Sequence, residues 1–320
     1  MMPRSKVLLT LSLATLFVPA FGQGAHQAGP GTLNYVEGNA SIDGRAVTSQ
    51  SVGYAGLDAG GTLATANGKV EVLLTPGVFL RVGEDSTIQM ISTNLTHTEV
   101  QIQRGRAEVE VDQIFPQNHL QIDLKNGQAL LLKNGLYEFN ADNGSMRVFN
   151  GKAAAFEGTG PANQANTILV KGSHELTLNG DPVKPAKFDK NNRDELYQWS
   201  GLRSEYLGEA NEDLAENYVG AYGGGPYAAG WLWDSDLYGY TWLPGDGAFL
   251  SPFGYGFYSP YYLYGGGFFY GRGFGYRGGG YGGFRGGYGG GGFRGGGAGF
   301  HGGGGGGGGA HGGGGGGGHR

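Results

Sequence analysis

From residue 31 to about residue 180 the chain alternates short apolar runs with polar punctuation, the pattern of one strand after another. Lys69–Thr75 (KVEVLLT), Gly77–Val82 (GVFLRV) and Ser86–Ser92 (STIQMIS) are rich in residues that fit a pleated surface. Thr98–Gln103 (TEVQIQ), Arg106–Asp112 (RAEVEVD) and Leu120–Leu124 (LQIDL) are apolar at every second position, which predicts strands with one face turned inward. Asn-Gly pairs begin at Asn67, Asn126, Asn134, Asn143, Asn150 and Asn179, and Asp43-Gly44 and Pro76-Gly77 add to them. These residues accept the positive φ that tight turns require. The clearest predicted hairpin is Leu136–Phe149, turning at Asp142-Asn143-Gly144. Turn signals every ~8–12 residues point to an all-β domain over 31–180, built as a β-sandwich or a solenoid-like coil.

The period changes after Pro182–Pro185, and Asp189–Asn217 reads as an amphipathic helix. Leu196, Trp199, Arg203, Tyr206 and Ala210 recur at helical spacing, with Leu202, Leu207 and Leu214 beside them. Asn192 followed by Glu195 resembles a capping box. Gly201 and Gly208 weaken the helix, each by up to ~1 kcal/mol relative to alanine. The stripe is expected to pack back on the β domain; the other reading is a partner-binding face.

From Tyr218 the pattern dissolves. Of 40 aromatic residues, 26 lie between Tyr218 and Phe300, so 218–264 forms an aromatic-rich segment. Residues 265–320 are low in complexity and hold 36 of the 70 glycines. Such a tail has too little aliphatic surface to offset chain entropy, and disorder is expected there.

Charge divides along the same line. The net charge of -5 combines +5 beyond Asp246, the last acidic residue, with -10 before it. The absence of cysteine excludes disulfides, thiolate metal sites, cysteine nucleophiles and a lipidated cysteine. At the N-terminus, Arg4 and Lys6 precede the apolar run Val7–Ala20, and Pro19, Ala20 and Gly22 follow the cleavage pattern. Residues 1–22 therefore read as a signal peptide, which places the mature chain in the periplasm or at the cell surface. No second spanning segment is expected, because Gly247–Gly271 is broken by Pro252, Pro260 and many glycines.

Candidate chemistry is sparse. His97, His119 and His174 each stand alone, without a second histidine at ligand spacing, and Glu84-Asp85 reads as a solvated turn. No hydrolase elbow, phosphate cradle or metal motif occurs, so no catalytic, cofactor or metal residue is assigned. In the tail, Arg277, Arg285 and Arg294 each precede two glycines and are interleaved with Tyr281, Phe284, Tyr288 and Phe293. These residues are candidate contacts, by arginine–aromatic stacking with other chains or by phosphate and base contacts with nucleic acid. The export signal and the small number of arginines disfavour nucleic acid.

Landmarks spread over residues 31–157 resemble the FecR domain of iron-siderophore signalling regulators and of exported proteins that carry the domain alone. They are Val36-Glu37-Gly38-Asn39-Ala40, Gly60–Thr65 (GGTLAT), Gly68–Gly83 (GKVEVLLTPGVFLRVG), Ser86-Thr87-Ile88, Gly105–Val109 (GRAEV), Gly135–Phe139 (GLYEF) and Val148–Ala153 (VFNGKA). The resemblance implies an all-β periplasmic domain that works through protein contacts. Classical members carry a cytoplasmic helical segment for a sigma factor ahead of a membrane helix; here a signal peptide directly precedes the domain, so no direct sigma-factor contact is expected. The expectation is an exported, non-enzymatic binding or scaffold protein of the cell envelope, its FecR-like domain making protein contacts, its aromatic, glycine-rich tail mediating surface or matrix attachment, and its partners envelope or surface proteins. The alternatives are a regulatory module in envelope signalling and nucleic-acid binding through the arginine–glycine tail.

Overall fold

The computed structural model describes residues 28–158, 167–178, 184–222 and 229–264, with the backbone alone at 219–222 and 264. The first group of strands is β1 (Leu33–Ile42), β2 (Arg45–Val47), β3 (Thr62–Leu73), β4 (Val78–Val82), β5 (Thr87–Asn94), β6 (His97–Arg104), β7 (Arg106–Val111) and β8 (His119–Leu124). Then follow β9 (Gly127–Leu131), β10 (Gly135–Asn140), β11 (Ser145–Val148), β12 (Lys152–Glu157), β13 (Ile168–Lys171), β14 (His174–Thr177) and β15 (Ala186–Lys187). Among the described residues these fifteen strands form one continuous hydrogen-bonded sheet, so the all-β expectation holds.

The sheet divides at β3. Thr62–Ala64 pair with β5, whereas Val70–Leu73 pair with β4. One branch runs β5-β6-β8-β9-β12-β13 and the other β4-β7-β10-β11-β14-β15. All pairings are antiparallel except β6 with β8. β1 follows β3 through the division, with Gly38 opposite Gly68 at a register shift. Gly38 has φ +67°, and a Cβ on Gly68 would stand 2.5 Å from both Asn39 N and Glu37 O, so neither position admits a side chain. Both branches contribute to one core. Val70, Val72, Leu80, Val82, Val109 and Phe139 pack in the same cluster as Ile88, Met90, Val100, Ile102, Leu120 and Ile122. The two branches thus bury one shared interior.

Turn chemistry divides as well. Asn126-Gly127 and Asn143-Gly144 close true hairpins, β8–β9 and β10–β11. Asn67-Gly68 instead lies inside β3 at the bend, while Asn134-Gly135 and Asn150-Gly151 pass the chain between strands that do not pair.

The helix α1 spans Glu195–Tyr222. Its cap is Asp194, whose Oδ1 accepts the Tyr197 amide at 2.9 Å, in place of the expected Asn192–Glu195 box. Asn192 closes a preceding turn on Asp189, and Glu195 pairs with Lys69 at 2.7 Å. The helix packs on the outer face of the second branch, so the expected packing on the β domain holds. Of the expected stripe, Leu196, Trp199, Arg203 and Ala210 are buried, with Leu207 beside them, whereas Tyr206 and Leu202 are exposed. Ser200, Ser204, Asn211 and Ala215 widen the buried face, and its polar members are there because the surface they meet is polar.

The aromatic segment also folds over 229–264, which corrects the expectation that regular structure ends at Tyr218. Two hairpins, β16 (Gly230–Asp234) with β17 (Gly239–Leu243) and β18 (Ala248–Leu250) with β19 (Gly256–Tyr258), precede the short helix α2 (Pro260–Tyr264). Tyr240, Trp242 and Phe257 join Leu73, Phe79 and Leu207 in a second core over the sheet. The helix glycines make that approach possible: a Cβ on Gly208 would lie 3.2 Å from Gly256 O, and one on Gly201 would lie 3.2 Å from the Phe253 ring. The segment 1–22 expected to be a signal peptide, the expected Asn179-Gly180 turn and the tail 265–320 lie outside the described residues. Among the described residues no helix is long and apolar enough to cross a membrane.

Candidate functional site

Alternation within the second branch aims Glu71, Arg81, Glu108, Glu110, Asp112 and Glu138 away from the core, yet all are buried because α1 lies over them. Cross-strand register places Glu71, Arg81, Glu108, Glu138, Arg147 and Glu175 in one row across β3, β4, β7, β10, β11 and β14. Arg81 Nε donates to Glu71 Oε2 at 2.9 Å, and its Nη1 donates to Glu110. From the helix, Arg203 Nη2 donates to Glu71 Oε1 at 3.0 Å and Ser204 Oγ to Glu110 Oε1 at 2.7 Å. Burial alone would raise the Glu71 carboxyl, but the Arg203 and Arg81 guanidiniums hold it below its ordinary value. Burial pushes Glu108 up to about 8, with the Ser200 hydroxyl opposing and the Glu138 and Asp194 carboxylates adding to the rise.

The first branch gathers a second polar group on its outer face. The parallel pairing of β6 with β8 sets His97 directly opposite His119, and their rings stack at 4.9 Å. This corrects the reading of each as a solitary histidine. His97 Nε2 lies 3.0 Å from Glu99 Oε2, and Gln121 Nε2 donates to Asp123 Oδ1 at 2.8 Å. Burial, reinforced by Glu99, raises the Asp123 carboxyl to about 7 against the Gln121 hydrogen bond. His174 is elsewhere, its Nδ1 3.0 Å from Gly172 O, and Glu84 pairs with Lys69 at 3.2 Å.

The third feature is a groove of about 390 Å³ between β1, α1 and the β16–β17 turn. Tyr35, Trp199, Leu202 and Tyr206 give it an aromatic and apolar wall; Glu37, Glu209, Asp213, Asp234 and Asp236 supply five carboxylates. Trp199 Nε1 donates to Glu37 at 2.9 Å and fixes the indole at the edge of β1. Asp234 Oδ1 accepts the Leu237 amide at 2.6 Å and fixes the turn. The one basic residue in the lining is Arg203, whose guanidinium lies 4.1 Å from the Tyr35 ring centroid while it bonds Glu71 beneath. A wall of rings with an acidic rim is suited to a cation carried on a flat or apolar body. The sequence offered one trace of this groove, the exposed positions of the helical stripe. Its acidic members come from three separate segments.

Arg277, Tyr281, Phe284, Arg285, Tyr288, Phe293 and Arg294 lie outside the described residues, so the structure neither gathers nor separates them. No family model matches the chain, and no curated protein matches it. Two crystal structures from Parabacteroides distasonis ATCC 8503, each described as a "putative anti-sigma factor", are similar to it at 9% identity, with TM-scores of 0.34 and 0.33. They match over 45% and 49% of this chain, which spans 64% of the first protein and 70% of the second.

Proposed function

We propose that the chain is an exported binding and scaffold protein of the bacterial cell envelope, acting by protein contact rather than by catalysis. Its groove takes a basic, arginine-bearing segment of a partner protein. The observation that carries this reading is the arrangement of five carboxylates around Tyr35, Trp199 and Tyr206, where Arg203 already rests on Tyr35 at 4.1 Å. A second guanidinium stacked on an exposed ring contributes about 0.5–1 kcal/mol, and pairing with the rim adds orientation and association rate. The signal-peptide pattern supports export, and the FecR-like landmarks support an envelope role through protein contacts. The acidic rim opposes phosphate, so nucleic acid is not the occupant of this groove.

The test titrates the full-length mature chain with a synthetic peptide of arginine, glycine and tyrosine, followed by tryptophan fluorescence. Lysine and glutamate peptides and a single-stranded oligonucleotide serve as comparisons. Salt-sensitive binding of the arginine peptide is expected, weaker binding of the lysine peptide, and none of the other two. Equal binding of all four, or binding of the oligonucleotide alone, overturns the reading. Fractionation with N-terminal sequencing tests export independently; an intact cytoplasmic product contradicts it.

A further inference from the structure

We infer that Glu108, Glu138 and Asp194 form a binding site for a hard divalent cation, Ca²⁺ in the first place, at the point where α1 begins on the sheet. One carboxylate oxygen from each of these three residues lies within 4.8 Å of the other two. Oxygens bound to one ion at about 2.4 Å stand no more than about 4.8 Å apart, so the three are close enough to share a calcium ion.

Convergence of carboxylates alone would not mark a site; two further observations do. The transverse row Glu71, Arg81, Glu108, Glu138, Arg147, Glu175 alternates in sign at every step but one, and the exception is Glu108 facing Glu138. Like charges directly opposite on neighbouring strands are destabilising. The N-cap Asp194 brings a third negative charge to this step. In addition, Glu108 is fully buried and neither of its carboxylate oxygens has a hydrogen-bond partner among the described residues. The buried Ser200 hydroxyl beside it counters part of the rise in its carboxyl but makes no hydrogen bond to either oxygen. A buried carboxylate without a partner is costly enough that something must neutralise it.

The neighbouring arginines do not. Arg81 is committed to Glu71 and Glu110. Arg106 pairs with Asp194, and Arg147 is shared between Glu138 at 3.4 Å and Glu175 at 3.0 Å. When ionised, Glu108, Glu138, Asp194 and Glu175 share two guanidiniums, and a divalent ion, in competition with a proton on Glu108, would supply the missing charge. An all-oxygen donor set selects calcium, magnesium or manganese over zinc, and three protein carboxylates in one site favour calcium over magnesium, which keeps most of its waters. Asp194 is partly exposed and provides the entry side.

The test uses the full chain stripped with a chelator and titrated with CaCl₂ alone, read by calorimetry and by melting temperature, with MgCl₂ and MnCl₂ in parallel. One equivalent of Ca²⁺ is expected, with a rise in melting temperature that chelator reverses. Glu108→Gln should abolish binding yet melt no lower than chelated wild type, because the like-charged step is gone. Asp194→Asn, which keeps the helix cap, should weaken binding by about tenfold or more. Absence of heat and of any melting shift up to millimolar cation means that a proton neutralises the cluster, and overturns the site. So does a calcium response unchanged in either variant.

Discussion

Arg203 on α1 donates to Glu71 on β3 across 3.0 Å with both side chains buried, and the same guanidinium lies 4.1 Å from the Tyr35 ring. One side chain thereby joins the buried charged layer to the groove above it. Removing it leaves Glu71 with Arg81 and the Asn34 amide but without its second guanidinium. Arg203→Ala is therefore expected to lower unfolding free energy by about 3 kcal/mol, the scale for breaking a buried pair. Arg203→Lys recovers part of this, since an ammonium keeps the charge but not the fork or the stacking. Urea unfolding of the three proteins checks the order.

Asp123 predicts a pH dependence. Its folded carboxyl titrates at about 7, above the ordinary unfolded value of about 3.9. Between these values the folded chain holds the extra proton, so this group makes stability fall as pH rises through that window, and the whole penalty is present above it. Asp123→Asn is expected to raise the urea midpoint at pH 8 and to leave it unchanged near pH 4. An equal effect at both pH values would separate the residue from the Glu99 and His97 neighbourhood that sets its titration.

The bend where the two branches join tests the fold itself. Gly68→Ala places a Cβ against backbone atoms of β1 on two sides, at 2.5 Å each, and backbone there cannot move without breaking the β1–β3 pairing. A loss of about 2 kcal/mol or more is expected, within the range for overpacking. Thermal unfolding compared with wild type measures it.

The aromatic hairpins are a lid on the second branch, not an appendage. Truncation after residue 228 removes Trp242 and Phe257, both fully buried, and uncovers Leu73 and Phe79. That protein is expected to melt well below one truncated after residue 264, and to bind a hydrophobic dye that the longer form does not. Equal melting temperatures would contradict the packing.

Much of the sheet was legible because its physics is local. Alternation in Arg106–Asp112 and Leu120–Leu124 gives strands, and the Asn143-Gly144 signal gives the β10–β11 hairpin. Polar alternation does not say what lies on the outer face, however. Glu108 and Glu110 read the same whether they meet water or a helix, so the charged layer was hidden. The stripe on α1 was legible except at Tyr206, but the polar part of the buried face was hidden for the matching reason: Ser200, Ser204 and Asn211 are buried against polar groups, which apolar periodicity cannot register. His97 and His119 looked solitary because a parallel pairing across 22 residues brings them together. Gly201 and Gly208, read as weakening the helix, are where the aromatic segment comes closest to it.

The account depends most on the groove as a binding site for arginine-bearing segments. The direct measurement is the affinity of the arginine–glycine–tyrosine peptide for wild type and for the triple variant Asp213→Asn, Asp234→Asn, Asp236→Asn. Asparagine at 234 can still accept the Leu237 amide, so the turn should survive. The account predicts a loss of about tenfold or more and a flatter dependence on salt in the variant. Affinity and salt dependence equal to wild type, in a variant that melts normally, would contradict it.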